Sequence, residues 1–354
     1  MSLFDETLAA ITAPDAGAAE AAAHRLDMLT KPRGSLGYLE EIVRRFCAIR
    51  RDPAALSGHG VITVFVADHG IAEVGVSAYP KAVTTEMLRN IAAGGAAISV
   101  LARRFGFDLI ITDVGVACDT SADSLPGVRY HRVAAGTRNF LESPAMSSKQ
   151  VQQAVECGIA IAREVATAGA TLIGVGEMGI GNSTCAAALL SAMTGIAPAL
   201  IVGRGTGVDD AGLQRKLAAI EAGIARHRAV LGDARAALAA LGGFEIAAIV
   251  GVCLGGAGCH VPVVIDGFIA TAAAAIANRM HPEVLNHLFF SHCSAEGGHH
   301  LALEALGVRP MLDLGMRLGE GTGAALAMNL IETGLTLYHE MATFKSARVS
   351  GKLG

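Results

Sequence analysis

Glu320 lies in a glycine-rich segment, residues 316–323, that directly precedes a predicted helix. A carboxylate held among glycines and apolar residues is poorly hydrated, which raises its pKa and suits it to remove a proton from a ring nitrogen. Arg317 in the same segment offers a planar set of donors for a phosphate or a carboxylate. The alternative is that Glu320 only interacts with the dipole of the helix that follows. Spacing alone leaves both interpretations open.

A second carboxylate, Glu177, lies within residues 174–179, whose sequence matches the dinucleotide-binding pattern G-x-G-x-x-G. The match is weak, because the next predicted strand ends in Gly203 and Arg204 instead of the acidic residue that binds a ribose. Glu177 would also repel a pyrophosphate. Asn182 and the two hydroxyl residues after it offer donors for a single phosphate at a helix start. A tight turn with no ligand is the structural alternative.

Other polar segments are weaker candidates for chemistry. Residues 291–300 contain three histidines and one cysteine, but their spacing matches no zinc signature, so a capped turn or phosphate loop at Ser294 is favoured. Asp68 and His69 follow a predicted strand, where an aspartate more often holds a turn than transfers a proton. Asp209 is more typical of a helix N-cap than of a magnesium site. No metal is therefore predicted.

The composition favours a globular protein that acts on small molecules. Hydrophobic residues make up 52% of the 354 residues, charged residues 17%, and the formal net charge is −4. The absence of tryptophan and of basic runs argues against a nucleic-acid partner or an anionic membrane surface. No apolar stretch is long enough to span a bilayer, and the N-terminal segment does not resemble a signal peptide. The seven scattered cysteines indicate a reducing compartment, so we expect a cytoplasmic protein.

Apolar, β-branched runs alternate with longer segments of helical periodicity. The predicted strands are residues 61–67, 109–114, 171–175, 199–202, 246–252 and 262–265. The predicted helices include residues 83–104, 148–168, 210–230 and 268–278. This alternation predicts an α/β fold with a Rossmann-like, doubly wound parallel sheet in three layers. Ligands of such sheets bind beyond the carboxyl ends of the strands, so the active site is expected there.

The two ends of the chain differ in pattern from its middle. Residues 1–55 show only helical patterns, and residues 296–354 lack a strong strand. The expected organisation is therefore a Rossmann-like domain over residues 56–295 and a small helical domain built from both termini. The C-terminal part of that small domain is expected to complete the active site.

Seven motifs, taken together in order and spacing, resemble one enzyme family over about residues 5–340. They are residues 31–37 (KPRGSLG), 67–70 (ADHG), 174–182 (GVGEMGIGN), 242–245 (GGFE), 265–268 (IDGF), 291–296 (SHCSAE) and 316–321 (MRLGEG). The family is that of the nicotinate-nucleotide–dimethylbenzimidazole phosphoribosyltransferases. The joint occurrence of these motifs is far more specific than any single one of them.

The resemblance implies a homodimer with a Rossmann-like core that moves 5-phosphoribose from nicotinate mononucleotide to 5,6-dimethylbenzimidazole. The product would be α-ribazole 5′-phosphate, for the lower ligand of cobalamin, and no cofactor or metal is needed. Glu320 matches the general base of the family and Glu177 a second carboxylate of the site. Lys216, which by itself is typical of a solvated surface lysine, matches a basic residue that reaches the site from the partner subunit. The residues expected to hold the nucleotide and its phosphate are Gly176, Gly179, Asn182, Gly205, Lys216, Asp266, Ser294 and Arg317.

The acceptor base is expected to contact Tyr79, Met87, Met178 and Leu318. Family members commonly have a small polar residue at the position of Tyr79 and glutamine at that of Met87. The bulkier, less polar lining leaves another benzimidazole, a purine or a phenol open as the acceptor. His299 and His300 have no counterpart in the family pattern, and the sequence assigns them no role.

Two functions of other classes stay open on the residues alone. An NAD(P)-dependent oxidoreductase would use the turn at residues 174–179 and would bind NAD(P)H saturably. A non-catalytic nucleotide-binding protein would bind the mononucleotide without forming product. Glu177 and Glu320 argue against the second function, because two carboxylates give little advantage to a protein that only binds an anion.

Overall fold

The computed structural model describes residues 2–118, 120–123 and 125–350. Within them, one parallel sheet has the strand order β3-β2-β1-β4-β5-β6-β7. The strands are β1 (Gly60–Ala67), β2 (Asp108–Gly115), β3 (Val128–Tyr130), β4 (Leu172–Met178), β5 (Val263–Ile265), β6 (Leu288–His292) and β7 (Pro310–Leu312). The α-helices are α1 (Leu3–Ala10), α2 (Ala16–Met28), α3 (Tyr38–Arg50), α4 (Ala82–Ala92), α5 (Ala97–Phe105), α6 (Ser148–Thr167), α7 (Asn182–Thr194), α8 (Pro198–Ile201), α9 (Asp210–His227), α10 (Ala234–Leu241), α11 (Phe244–Gly258), α12 (Phe268–Met280), α13 (His299–Ala305), α14 (Thr322–Glu340) and α15 (Phe344–Ala347).

Strand β1 lies at the centre of the sheet and is buried on both faces. Val61 and Phe65 pack into one apolar core, whereas Ile62 and Val64 pack into a second core on the opposite face. Successive side chains of a strand point to opposite faces, so the two cores lie on the two sides of the sheet. The predicted α/β fold with a three-layer parallel sheet is therefore confirmed.

One predicted strand, residues 246–252, is wrong, because these residues form the middle of helix α11. That helix is buried along almost its whole length, so its residues are apolar on all sides. Its sequence therefore lacks the alternation of apolar and polar residues that would indicate a helix. It packs closely on α6 through glycines. A Cβ atom at Gly158 would lie 1.9 Å from the carbonyl oxygen of Ala248.

Two further predictions need correction. The strand predicted over residues 199–202 is wrong, because these residues belong mostly to the short helix α8, which has a proline in its first turn. The predicted helix over residues 83–104 is two helices, α4 and α5, separated by a turn at Gly94 and Gly95. Gly94 has a φ of 83°, a backbone conformation that ends a helix and that glycine adopts without strain.

Strands β3, β6 and β7 have no counterpart among the predicted strands. Strands β3 and β7 have only three residues each, too few to show an alternating pattern. Strand β7 lies in the C-terminal segment, for which only helices were predicted, and it pairs with β6 at the edge of the sheet.

The two ends of the chain contact each other. The Arg25 guanidinium donates hydrogen bonds to the carbonyl oxygens of Tyr338 and His339, and α14 packs against α3. The division of the chain near residues 55 and 295 stays a prediction. Met1 and residues 351–354, at the outer ends of the two predicted terminal segments, lie outside the described residues.

Two predictions from composition concern the membrane and the cysteines. Among the described helices, none is long and apolar enough to span a bilayer. All seven cysteines are free, and Cys47, Cys185 and Cys253 are buried. Burial raises the pKa of the Cys47 and Cys253 thiols to about 12, so both behave as apolar side chains.

Candidate active site

A cavity of about 270 Å³ opens at the carboxyl ends of β4, β5 and β6. It is close to the point between β1 and β4 where the strand order reverses, which is where ligands bind in doubly wound sheets. The predicted site residues that line it are Tyr79, Glu177, Met178, Gly179, Asn182, Gly205, Asp266, Ser294, Arg317 and Leu318. Those that are not part of its lining are Met87, Gly176, Lys216 and Glu320.

Glu177, near the end of β4, is a carboxylate that lines this cavity. Only 6% of its surface is exposed, and the side-chain amide of Asn182 donates a hydrogen bond to it. Burial, followed by the negative charges of Glu245 and Asp266, raises the pKa of Glu177 to about 8. The side chain is therefore mostly protonated at neutral pH and becomes a carboxylate just above it.

The turn at residues 179–182 brings the start of helix α7 to the cavity. It can form only with glycine at two positions. A Cβ atom at Gly179 would lie 2.4 Å from the carbonyl oxygen of Ala67, and Gly181 has a φ of 99°. No side chain caps α7, although the backbone N–H groups of Asn182 and Thr184 donate to the carbonyl oxygens of Gly179 and Gly181. The positive end of the helix and the side chain of Ser183 at the cavity are suited to an anionic group.

Glu320 is buried next to the cavity and does not line it. Its carboxylate faces the start of helix α5, and its Oε2 atom has no hydrogen-bond partner among the described residues. Burial raises the pKa of Glu320, although the backbone N–H groups of Ile98 and Ala97 act in the opposite direction. The expected interaction with a helix dipole therefore involves α5 and not the helix that follows in sequence. Gly176 allows this arrangement, because a Cβ atom there would lie 2.3 Å from the Glu320 carbonyl oxygen.

The four residues predicted to contact an acceptor base lie in two places. Met87 and Met178 are half-buried and pack against the apolar cluster that contains Ile98, next to the Glu320 carboxylate. Tyr79 and Leu318 line the cavity with exposed side chains. Met178 also lines the cavity, so apolar side chains connect the cavity wall to the cluster beside Glu320.

Lys216 is completely buried, so the expectation of a solvated surface lysine is wrong. Its Nζ atom donates hydrogen bonds to Ser183 Oγ and to the Gly203 carbonyl oxygen, both at 2.9 Å, and lies 3.5 Å from Glu296 Oε1. The same Glu296 oxygen accepts a 2.7 Å hydrogen bond from the backbone N–H of Gly205. Lys216 therefore joins the loop at residues 203–205 to the start of α7 within one chain. The resemblance had implied a lysine from a partner subunit.

Ser294, Arg317 and Asp266 complete the polar lining on the side of β5 and β6. Ser294 Oγ donates to the carbonyl oxygen of Met316 and accepts from the backbone N–H of Glu296. Arg317 is exposed at the rim, where its guanidinium is available to a ligand. Asp266 uses both carboxylate oxygens within the protein, on N–H groups at the start of α14.

Two histidines were not assigned by sequence reasoning. His292 lines the cavity at the end of β6, and its Nδ1 atom lies 2.9 Å from Ser291 Oγ. His299 accepts a hydrogen bond from the backbone N–H of Ser294 at Nδ1, and its Nε2 atom lies 2.9 Å from Thr271 Oγ1. Burial lowers the pKa of His299 to about 3, so it is a neutral structural residue. Only their presence in the motif at residues 291–300 could have indicated these roles. His300 is exposed.

Beneath the turn at residues 179–182 lies a buried ion pair. His69 Nε2 is 2.6 Å from Glu245 Oε1, and both side chains are fully buried. Burial by itself lowers the pKa of His69, but the charge of Glu245 and hydrogen bonds outweigh it, and the net shift is well upward. Asp68 accepts a 2.8 Å hydrogen bond from the backbone N–H of Ala117 and so links the loop after β1 to the loop after β2.

Asp209 caps helix α9, as predicted. Its Oδ1 atom accepts a 2.7 Å hydrogen bond from the backbone N–H of Gly212. Asp210, the other member of this acidic pair, lies 2.5 Å from the Arg204 guanidinium. This pair is therefore engaged in capping and in a surface ion pair.

Comparisons with known proteins agree with the geometry. A phosphoribosyltransferase family model matches residues 11–349. A nicotinate-nucleotide–dimethylbenzimidazole phosphoribosyltransferase from Chromobacterium violaceum is 51% identical over 96% of this chain and 97% of its own. One from Roseiflexus sp. is 48% identical over 100% of this chain and 99% of its own. These relatives give no support to the oxidoreductase alternative.

The fold is also similar to that of a solved relative. The crystal structure of CobT from Thermus thermophilus has a TM-score of 0.90 and 43% sequence identity, and the match covers 95% of this chain and all of the other. The chain belongs to the family of the nicotinate-nucleotide–dimethylbenzimidazole phosphoribosyltransferases.

Proposed function

We propose that this protein transfers the 5-phosphoribosyl group of nicotinate mononucleotide to 5,6-dimethylbenzimidazole or a related base. The products are α-ribazole 5′-phosphate, used for the lower ligand of cobalamin, and nicotinate. One observation carries the proposal. The uncapped start of α7, suited to a phosphate, and the buried Glu177, suited to a cationic sugar, line one cavity, and the buried Glu320, suited to an acidic ring nitrogen, lies next to it. Membership of the family supports it.

The bonding changes of the transfer need only one proton acceptor. The bond between the anomeric carbon and the pyridinium nitrogen breaks, and its electron pair neutralises that nitrogen as nicotinate leaves. An unprotonated nitrogen of the benzimidazole forms the new bond to the same carbon. The other ring nitrogen of the benzimidazole loses a proton, which Glu320 accepts. Because the leaving group is already cationic, no metal ion or cofactor is needed.

The acidic residues near the cavity also stabilise the sugar as the glycosidic bond breaks. Glu177 is close enough to Glu245, Asp266 and Glu320 for their charges to raise its pKa. Positive charge builds up on the sugar when a glycosidic bond breaks. Negative groups fixed beside the sugar stabilise that transition state more than the ground state.

In this proposal the nucleotide and the acceptor occupy different parts of the site. Asn182, Gly179, Gly205, Ser294 and Arg317 surround the phosphoribosyl group, while Gly176 and Lys216 shape the loops behind it. The acceptor reaches towards Glu320 along Met178 and Met87, with Tyr79 and Leu318 at the opening. This apolar lining fits an aromatic base but provides few polar groups to distinguish one base from another.

We further propose a cytoplasmic homodimer with a small helical domain built from both termini. The seven free cysteines support a reducing compartment. Contacts of Arg25 and α3 with α14 support the joined termini. Gel filtration with light scattering tests the oligomeric state.

The proposed function is tested by incubating the protein with nicotinate mononucleotide and a panel of benzimidazoles, adenine and phenols. We expect release of nicotinate only when an acceptor is present, with a riboside phosphate formed in equal amount. Release without an acceptor, or saturable binding of NADH under the same conditions, would contradict the proposal.

A pH profile should show the ionisation of Glu177. Because its pKa is raised to about 8, the carboxylate that stabilises the cationic sugar forms only as the pH rises through that value. We expect kcat/KM for nicotinate mononucleotide, which reports groups of the free enzyme, to increase up to about pH 8 and then level off. In Glu177→Gln this rise of kcat/KM with pH should disappear. A Glu177→Gln profile that still rises near pH 8 would assign the rise to another group.

A further inference from the structure

Asp266 follows strand β5 and connects it to the turn that carries Glu320. Only 3% of Asp266 is exposed. Its Oδ2 atom accepts a 3.0 Å hydrogen bond from the backbone N–H of Gly321, and its Oδ1 atom accepts one of 3.0 Å from Ala324. Helix α14 begins at Thr322, and its N-cap residue Gly321 has no side chain. Asp266 therefore provides, from another part of the chain, the oxygen that an N-cap side chain usually supplies.

The turn before α14 needs such support because its backbone is strained. Glu320 has a φ of 63°, and its neighbours Gly319 and Gly321 have φ values of 85° and 90°. A glutamate rarely adopts this left-handed conformation, and such residues persist only where the surrounding structure holds them. Asp266 holds the turn from the side of β5, and Gly176 allows β4 to pack against it.

Burial raises the pKa of Asp266, whereas His292 and the backbone N–H groups around its carboxylate act in the opposite direction. Both of its oxygens accept hydrogen bonds from backbone N–H groups at a positive helix end, and His292 Nδ1 lies 4.0 Å from Oδ1. When Asp266 is ionised, its negative charge acts on both carboxylates of the site. It adds to burial in raising the pKa of Glu320, and to burial and Glu245 in raising the pKa of Glu177.

We propose that Asp266 is a positioning residue of the transfer reaction, which fixes the turn of Glu320 and, when ionised, places a negative charge beside Glu320 and Glu177. This inference rests on the proposed function. It replaces the expectation that Asp266 binds the nucleotide. A buried carboxylate with both oxygens in use has little capacity to bind a substrate, and it would repel a phosphate.

The test compares Asp266→Asn with Asp113→Asn as a matched control. Asparagine keeps the size of the side chain but loses the charge and places an NH₂ group against a backbone N–H. Asp113, on β2, is also a buried aspartate near the end of a strand, and its Oδ1 accepts from the backbone N–H groups of Gly115 and Val116. It lines no part of the cavity.

For Asp266→Asn we expect kcat to fall roughly 10- to 100-fold, because small displacements of a catalytic group are costly. KM for nicotinate mononucleotide should stay within about threefold, because the nucleotide loses no contact. The limb of kcat that reports ionisation of Glu320 should move to lower pH, since a neighbouring negative charge is lost. Asp113→Asn should change none of these quantities, whatever its effect on stability.

A titration without substrate separates this inference from the proposed function. In protein labelled with ¹³C at the glutamate carboxyl carbons, the signals of Glu177 and Glu320 are assigned by Glu177→Gln and Glu320→Gln. Asp266→Asn should shift both titrations to lower pH, even if no phosphoribosyl transfer is detected in any variant. Unshifted titrations would overturn the inference, as would a raised KM for the mononucleotide with an unchanged kcat.

If Asp266→Asn does not fold, Ala324→Pro provides a second test. Proline has no amide hydrogen and is tolerated in the first turn of a helix, so this change removes one donor to Asp266 and keeps every side chain of the cavity. We expect a lower kcat with KM for the mononucleotide preserved. A wild-type kcat in this folded variant would show that the contact does not position Glu320.

Discussion

Glu320→Gln should lower kcat roughly 10²- to 10⁴-fold, the usual contribution of a general base. Glutamine has nearly the same size and can keep the backbone turn, but it cannot accept the proton of the acceptor ring. KM for nicotinate mononucleotide should change little, because the glutamate acts on the acceptor. The measurement is steady-state release of nicotinate at saturating 5,6-dimethylbenzimidazole.

A control for this variant lies on α14, the helix that follows Glu320. Glu332, on α14, is also partly buried, and burial raises its pKa, but its side chain contacts Ser57 at the opposite edge of the sheet. Glu332→Gln should therefore leave kcat within about twofold, since it touches no reacting group. Wild-type turnover of Glu320→Gln would show that another group removes the proton.

His69→Gln should lower the free energy of unfolding by about 3–5 kcal/mol, the usual cost of removing one partner of a buried ion pair. The change leaves Glu245 buried without its cation, and Glu245 Oε2 already has no hydrogen-bond partner among the described residues. Urea denaturation at pH 6, followed by far-ultraviolet circular dichroism, gives this difference directly. The double variant His69→Gln, Glu245→Gln should recover part of the loss, because neither buried group is then charged.

The effect of His69→Gln should also depend on pH. The pKa of His69 in the folded protein lies well above its usual value. The stabilisation from protonated His69 is therefore complete below about pH 6.5, where the unfolded chain also binds the proton. It is lost as the pH rises from there through the pKa of the folded state. The difference between wild type and variant should consequently shrink in alkaline buffer.

The exposed pair of His59 and Asp108 is the matched control for this experiment. Its atoms are 2.8 Å apart, but 37% and 71% of the two side chains are exposed. His59→Gln should change the unfolding free energy by less than about 1 kcal/mol, because solvent screens the pair. If His69→Gln were as mild as His59→Gln, the buried pair would not be an important part of the fold.

The sequence alone predicted the class of the fold, its central strands and the edge at which the cavity lies. Residues 61–67 and 171–175 are apolar runs rich in β-branched residues, and each is followed by a glycine-containing turn. This pattern is local, so it can be recognised without knowing how the segments pack. Most residues predicted to hold the nucleotide, such as Asn182 and Ser294, do line one cavity. Their motifs combine glycines with short polar side chains, which is a local property.

Burial on all sides and contacts between distant segments were decided only by the tertiary structure. Residues 246–252 look like a strand because α11 is apolar all round, and only its packing on α6 makes it a helix. Lys216 looks like a surface residue because its partners, Ser183 and Glu296, are distant in sequence. For the same reason, the sequence did not predict that Asp266 accepts hydrogen bonds from the start of α14. Nor did it predict that the Glu320 side chain is directed towards the start of α5. The local sequence pattern indicates which conformation a segment prefers. The charge state of a side chain and its contacts depend on the groups that folding brings next to that side chain.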